Sequence, residues 1–227
     1  MDHSEEISKY FFCDWLMIAL TGLALVVSLK HGGYSGKMRY VSYYIAAAFL
    51  IDCASIYSHF GFSASNNHDA ADDLLSSIFS IVEITFLYLF LYNNINGYNK
   101  RSAMKLIYSI FALFIFYLCV TKRMYILKMP NQVYALESIC LVVASLFYFH
   151  GLFTTSKLFV LKKHPSFWVV TGILLYHGCC VPIYLLINFV NHHLPLYVNF
   201  IPAFNYLLYC ILFILFMKAY LCRKNII

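Results

Sequence analysis

Charged residues are scarce in this chain of 227 residues: they make up 11% of it, whereas hydrophobic residues make up 62%. A water-soluble domain of this length cannot cover so much apolar surface with so few charges. Short segments that alternate apolar and polar residues are also lacking, which argues against a transmembrane β-barrel. The remaining class is an all-α integral membrane protein, and the mean hydropathy of +0.73 agrees with it.

Motifs that would support chemistry are lacking as well. The eight cysteines include no Cys-x-x-Cys pair, so neither a zinc knuckle nor a disulfide framework is indicated. The net charge of +6 is not gathered on a basic face with interleaved aromatics, so we expect no nucleic-acid partner. The acidic start (Asp2, Glu5 and Glu6) is unlike a cleavable signal peptide, so the first helix should be retained. We expect no catalytic residue, no metal and no cofactor.

What the sequence does contain is a series of apolar segments, each about long enough to cross a bilayer. They predict a seven-transmembrane helix bundle that forms a single domain over residues 1–227. The predicted segments are 11–29, 40–60, 74–94, 104–120, 133–153, 167–189 and 196–220. Pro182 and Pro202 lie within the last two, and we expect each proline to distort its helix locally, because it lacks an N–H group.

The basic residues predict the orientation of this bundle. If the N-terminus is outside, 12 of the 16 lysines and arginines fall in cytoplasmic loops or in the C-terminal tail, while the acidic stretch 69–73 falls outside. The exceptions are Lys9 and the loop 122–128. The positive-inside rule therefore predicts an N-terminus outside and a cytoplasmic C-terminus. Tyr40, Tyr43 and Tyr44 are expected to form an aromatic belt at the cytoplasmic interface.

Four carboxylates lie within or at the edges of the predicted spans: Asp14, Asp52, Glu83 and Glu137. A charge at the bilayer centre costs about 2.5–3.5 kcal/mol on insertion scales, so such residues usually face the bundle interior or a cavity. Asp14 and Glu137 are near the outer ends of their spans, where they can reach interfacial water. Asp52 and Glu83 are deeper, and their burial requires a stronger reason.

Other polar residues share helix faces with these acids or lie at a similar depth. Together they predict a polar cavity that opens to the outside. The expected ligand-binding residues are Asp52, Ser55, His59, Glu83, Glu137, His177, Asn188 and Asn205. The alternative is that these groups only hold helices together, each contributing about 0.6 kcal/mol. Burying two deep acids costs more free energy than such contacts contribute, which favours a functional cavity.

Two stretches resemble a known group of proteins. Residues 135–139 (Ala-Leu-Glu-Ser-Ile) and 146–149 resemble its fifth helix, and 164–168 (His-Pro-Ser-Phe-Trp) with 171–176 resemble its sixth. Residues 81–84 fit its third helix more loosely. The group comprises bacterial seven-helix membrane sensor modules that are often encoded beside or fused to histidine kinases. The resemblance implies a multi-pass protein of the bacterial inner membrane (the plasma membrane).

The preferred function is a non-enzymatic, receptor-like signalling subunit surrounded by membrane lipid. We expect a small-molecule or lipid ligand and a cytoplasmic signalling protein as partner, with the oligomeric state left open. The first alternative is a transporter or ion-conducting subunit that uses Asp52 and Glu83. The second is an intramembrane zinc-type lipid hydrolase. Ser55-x-x-x-His59 resembles an element of the seven-helix zinc hydrolases, but the seventh segment lacks the second pair of histidines.

Overall fold

The computed structural model of this protein describes residues 3–32, 36–61, 68–95, 97–122, 131–154, 164–193 and 200–223. The regular structure in these ranges is entirely helical. It consists of a short 3₁₀ turn (Gly36–Met38) and seven α-helices: α1 (His3–Lys30), α2 (Arg39–Gly61), α3 (His68–Asn94), α4 (Tyr98–Lys122), α5 (Asn131–Thr154), α6 (Pro165–His193) and α7 (Phe200–Arg223). In α1 the side chains are described from Asp14 onward.

Six of these helices, α2 to α7, are long and apolar enough to cross a membrane. In hydrocarbon every backbone N–H and C=O must be paired within the segment, which a helix achieves. Large apolar side chains such as Leu50, Leu113 and Phe200 are about two-thirds exposed, as expected of a surface that faces lipid. The predicted segments coincide with the seven helices, apart from residues 196–199, which lie outside the described ranges. This is the architecture of a multi-pass helical membrane protein.

Six helices form a closed ring in the order α1, α2, α3, α5, α6, α7 and back to α1. The helix α4 lies outside this ring, where it packs mainly against α5. Among the six candidate spans, α4 is also the one with the smallest buried fraction. The interior of the bundle is therefore built by the six ring helices.

Contacts between neighbouring helices establish their directions. On α5 and α6, Tyr134 contacts Tyr184 while Phe149 contacts Phe167, so the two helices are antiparallel. By contrast, α1 and α7 are parallel, because Asp14 contacts Tyr206 and Met17 contacts Cys210. One end of the bundle, here called the N-terminal end, thus gathers the first halves of α1, α3, α5 and α7 with the second halves of α2 and α6. The opposite end is called the C-terminal end.

Close packing fills the C-terminal half of the ring. The side chains of Tyr44, Phe213, Phe216 and Tyr220 are all essentially inaccessible there. The hydroxyls of Ser42 and Tyr220 lie 2.7 Å apart, and both are also within hydrogen-bonding distance of the Met38 carbonyl, so the buried polar groups here are paired. Since interiors at this density leave little free volume, space for a ligand must be sought at the other end.

The two prolines differ in their position along the helix. Pro182 lies inside α6, and the helix continues through it from Pro165 to His193. The distortion expected there stays a prediction. Pro202 is the third residue of α7 as described. The residues just before Phe200 lie outside the described ranges, so the expected distortion of α7 at Pro202 also stays a prediction.

Candidate functional site

A cavity of about 640 Å³ lies at the N-terminal end of the bundle. All six ring helices contribute to its wall, whereas none of the described residues of α4 does. Its volume is within the range of about 300–1,000 Å³ that is typical of small-molecule sites. Of the described parts of the chain, this cavity offers the best candidate for a binding site.

The wall of the cavity is rich in acidic and phenolic groups. Its ionisable carboxyl side chains come from three helices: Asp14, Asp52, Asp73 and Glu83. Five tyrosines also line it: Tyr134, Tyr176, Tyr184, Tyr206 and Tyr209. Further polar groups come from Ser55, Ser76, Ser80 and Asn205. The described residues of this wall include no lysine, arginine or histidine, so its formal charges are all negative or zero.

The cavity reaches deep into the bundle. Asp73 and Glu83 are ten residues apart on α3, and both line the cavity. At 1.5 Å per residue this corresponds to about 15 Å along the helix axis, half the thickness of a hydrocarbon core. Glu83 is therefore at the inner end of the cavity and Asp73 near its mouth.

Aromatic rings form the floor beside Glu83. Phe79, Tyr176 and Tyr209 line the cavity, and Tyr209 packs edge-on against Phe213 with 4.7 Å between ring centroids. Phe213 in turn stacks on Tyr44 at 6.1 Å. This aromatic floor separates the cavity from the C-terminal half of the bundle.

Each of three cavity acids accepts a hydrogen bond from a neighbouring helix. The Thr21 hydroxyl donates to Oδ2 of Asp52 at 3.1 Å, and the Tyr206 hydroxyl donates to Oδ1 of Asp14 at 2.8 Å. For Glu83 the donor is Tyr44, whose hydroxyl is 2.8 Å from Oε1. These bonds fix the direction of each carboxyl group and occupy only one of its two oxygens.

Two residues of the wall, Ser80 and Glu83, belong to a set of buried polar side chains that continues behind it and is here called the inner network: Tyr44, Ser80, Glu83, Glu137, Ser138 and His177. Nε2 of His177 lies 3.8 Å from Oε1 of Glu83, and its Nδ1 lies 3.3 Å from the Ser138 hydroxyl. The Ser80 hydroxyl donates to Oε2 of Glu137. The network thus connects α2, α3, α5 and α6 at the level of the cavity floor.

Three buried atoms of the expected site residues have no hydrogen-bond partner among the described parts of the chain. They are Oε1 of Glu137, Nε2 of His177 and Oδ1 of Asn205. Leaving such an atom unpaired costs about 1–3 kcal/mol, so each calls for an explanation. Two of these atoms belong to the inner network and the third to the cavity wall, while a fourth such atom, the Ser145 hydroxyl, lies further along α5.

The structure brings together most of the residues expected from the sequence. Asp52, Ser55, Glu83 and Asn205 line one cavity, which agrees with the expectation of a shared polar site. His177 is buried next to Glu83, just behind the wall. The side chains of His59 and Asn188 lie outside the described part of the structure. A ligand-binding role for all eight residues stays a prediction.

Glu137 corrects one expectation. The sequence suggested that it reaches interfacial water, but its exposed fraction is 2% and it is hydrogen-bonded to Ser80 in the inner network. It belongs behind the cavity wall and does not line the cavity itself. The cause is the packing of α5 between α3 and α6, which cover this side chain completely.

The structure also corrects the expectation for Tyr44. It was expected in an interfacial belt, yet its side chain is fully buried and bonded to Glu83. The pattern that could have revealed this is helical: Tyr44, Ala48 and Asp52 recur every four residues on one face of α2. Asp73 was missed although it precedes Ser76, Ser80 and Glu83 at helical spacing on α3. Thr21 was missed as well, because a hydroxyl residue in an apolar segment carries no comparable penalty.

Metal binding was considered because of the Ser55-x-x-x-His59 element. Within the ranges that the structure describes, no group of three or more His, Cys, Asp or Glu side chains could hold a metal ion. The side chain of His59 is not among those that the structure describes. The described geometry therefore gives the zinc-hydrolase alternative no support from its own side chains.

The fold and the cavity together define a multi-pass helical membrane protein with an acidic, tyrosine-rich pocket at one end. Comparison of the chain with known protein families, curated proteins and solved structures finds no match. The resemblance to bacterial sensor modules therefore stays an expectation.

Proposed function

We propose that this chain is a seven-span, non-enzymatic sensor subunit that binds a ligand in its cavity and communicates the binding event across the membrane. The observation that carries the proposal is the 640 Å³ cavity whose floor acid, Glu83, is hydrogen-bonded to the buried core through Tyr44. A ligand that contacts Glu83 gives a new partner to a carboxyl group that is also hydrogen-bonded to the buried core. Such differential contact is what a conformational response requires.

Closure of the cavity supports a receptor over a channel. Below Glu83 the path is filled by the stacked rings of Tyr44, Phe213 and Phe216, and all three are essentially inaccessible. A conducting pore needs a continuous polar or hydrated route past this level. The aromatic floor provides a surface against which a ligand can bind.

Transmission of the binding event runs through the inner network. Tyr44 on α2 packs against Phe213 and Phe216 on α7, and Glu83 on α3 approaches His177 on α6. A shift of the Glu83 carboxyl therefore acts on three neighbouring helices at once. Their far ends carry the basic residues that would meet a cytoplasmic signalling protein.

The charge distribution supports the orientation with the N-terminus outside. Lys30, Arg39, Arg101 and Lys218 lie at the C-terminal end of the bundle, and Asp73 lies at the N-terminal end. With the positive-inside rule this supports a cavity on the outer side of the membrane and a C-terminus in the cytoplasm. Together with the resemblance to bacterial sensor modules, it supports a location in the bacterial inner membrane.

The test is purification of the full-length protein from its native membrane, followed by mass spectrometry of the bound small molecules. We expect a ligand that co-purifies with the unmodified protein and with Ser42→Ala, but is lost from Glu83→Gln. Ser42 is the matched control because it is a buried polar residue at the C-terminal end, far from the cavity. Both variants should be extracted as folded protein in similar yield.

Two results would contradict the proposal. The first is a Glu83→Gln protein that retains every bound molecule and every response of its partner. The second is solute or proton flux into reconstituted vesicles that Glu83→Gln abolishes, since this outcome establishes the transporter alternative.

A further inference from the structure

We propose that the ligand of this cavity is a small organic cation, in which an ammonium group is attached to an apolar body. The inference rests on the proposed function, because it names the chemical class that the sensor would detect. Its evidence is the juxtaposition of carboxyl groups and tyrosine rings in one deep cavity whose described lining includes no basic side chain.

Charge is the first argument. The carboxyl side chains of Asp14, Asp52 and Glu83 line the cavity, and its described lining residues include no lysine, arginine or histidine. Carboxyl groups gathered in a site of low dielectric repel one another and any anion that enters. A bound cation relieves this repulsion, whereas a carboxylate or phosphate ligand would increase it.

Unpaired acceptors are the second argument. Glu83 is 95% buried, and while Oε1 accepts the Tyr44 hydroxyl, no described residue is hydrogen-bonded to Oε2. Oδ1 of Asn205, in the opposite wall on α7, is buried and has no hydrogen-bond partner among the described residues. Both atoms are acceptors, so the missing groups are donors. An ammonium supplies several N–H donors and no acceptor.

The aromatic floor is the third argument. Tyr176 and Tyr209 line the cavity beside Glu83, and their rings pack 6.0 Å apart. Aromatic faces attract a cation electrostatically and also accommodate the apolar part of an organic ligand. An acid flanked by two tyrosines thus suits an alkylammonium better than a hydrated inorganic ion, which offers no apolar surface.

A matched set of probes tests the charge directly: tryptamine, tryptophol and indole-3-acetate share an indole ring and carry a positive, zero and negative charge. Spermidine adds a second amine of different shape. Binding to the full-length protein in lipid nanodiscs is measured by titration calorimetry up to about 1 mM, the weak end of specific affinities. We expect at least one amine to bind, and tryptophol and indole-3-acetate to bind at least about tenfold more weakly or not at all.

Variants identify the site of binding. Glu83→Gln should weaken amine binding by about tenfold or more, because removing one member of a buried charge pair commonly has an effect of this size. Ser42→Ala should leave the affinity unchanged. If Glu83→Gln does not fold, Asp52→Asn in the wall formed by α2 makes the same test.

The experiments distinguish a failure of the cationic-ligand proposal from a failure of the proposed sensor function. If neither amine binds, if the neutral or anionic probe binds as tightly, or if both carboxyl variants bind amines normally, the cationic ligand is refuted. If a neutral or anionic molecule instead co-purifies and is lost from Glu83→Gln, the sensor function stands without the cation. If no molecule co-purifies and no probe binds, both proposals fall.

Discussion

Replacement of Tyr44 by phenylalanine isolates the contact that joins the cavity to the core. The change removes one hydroxyl, which donates to Oε1 of Glu83 at 2.8 Å. The ring remains, together with its packing on Phe79, Phe213 and Phe216 at centroid distances of 5.9, 6.1 and 6.0 Å. Any effect therefore reports on the hydrogen bond and not on lost volume.

The magnitude follows from the burial of both partners. Tyr44 is fully buried and Glu83 is 5% exposed, so bulk water has little access to the lost donor's position. Hydrogen bonds between membrane helices average about 0.6 kcal/mol and reach about 1.7 kcal/mol. An acceptor left unsatisfied in a protein interior costs about 1–3 kcal/mol. Because the acceptor is a carboxyl oxygen that faces a fully buried side chain, we expect Tyr44→Phe to lower the free energy of unfolding by about 1.5 kcal/mol.

The assay is reversible unfolding of the protein in bicelles, with a double-mutant cycle that combines Tyr44→Phe and Glu83→Leu, which lacks an acceptor. The two changes should be coupled by about 1 kcal/mol, since each removes one side of the same bond. The control is Tyr57→Phe on the same helix, where the side chain is 73% exposed and the change should be nearly silent. A coupling energy of zero, or equal effects of the two tyrosine variants, would refute the bond as a link between cavity and core.

Two further predictions concern packing and topology. Gly172→Leu should destabilise the protein by about 1–3 kcal/mol through overpacking, because a Cβ at Gly172 would already lie 3.2 Å from the Leu212 side chain. On the same helix Gly178→Leu should be tolerated, since no described atom lies within 4 Å of its Cβ position; equal unfolding free energies of the two variants would contradict this packing. Reporter fusions after Asp72 and Lys163 should be external and cytoplasmic, respectively, and the reverse result would overturn the orientation.

Hydropathy was sufficient to predict the helices, and the reason is physical. In hydrocarbon a span must be apolar and about 20 residues long, so composition alone locates it. The same criterion says nothing about which helices are neighbours. That α4 lies outside the ring while α5 lies within it could not be predicted from hydropathy, because both segments meet the same criterion for a span.

Individual site residues could be predicted where burying the side chain in a bilayer costs free energy. Asp52 and Glu83 were identified because a deep carboxyl in an apolar run requires a polar environment, and both line the cavity. Tyrosine carries no such penalty, since it is common at interfaces, in cores and in binding sites alike. The five tyrosines of the wall and the role of Tyr44 therefore emerged only when the helices were packed together.

Glu137 shows why depth within a bundle cannot be counted from the end of one segment. It is six residues after the start of α5 as described, which in isolation suggests a position near the interface. Its partner Ser80 is twelve residues after the start of α3, so α3 extends about six residues, or roughly 9 Å, beyond the start of α5. Likewise Tyr134 meets Tyr184, and α6 continues nine residues past that contact to His193. The longer helices on either side enclose the start of α5, and this offset converts an apparently interfacial acid into a buried member of the inner network.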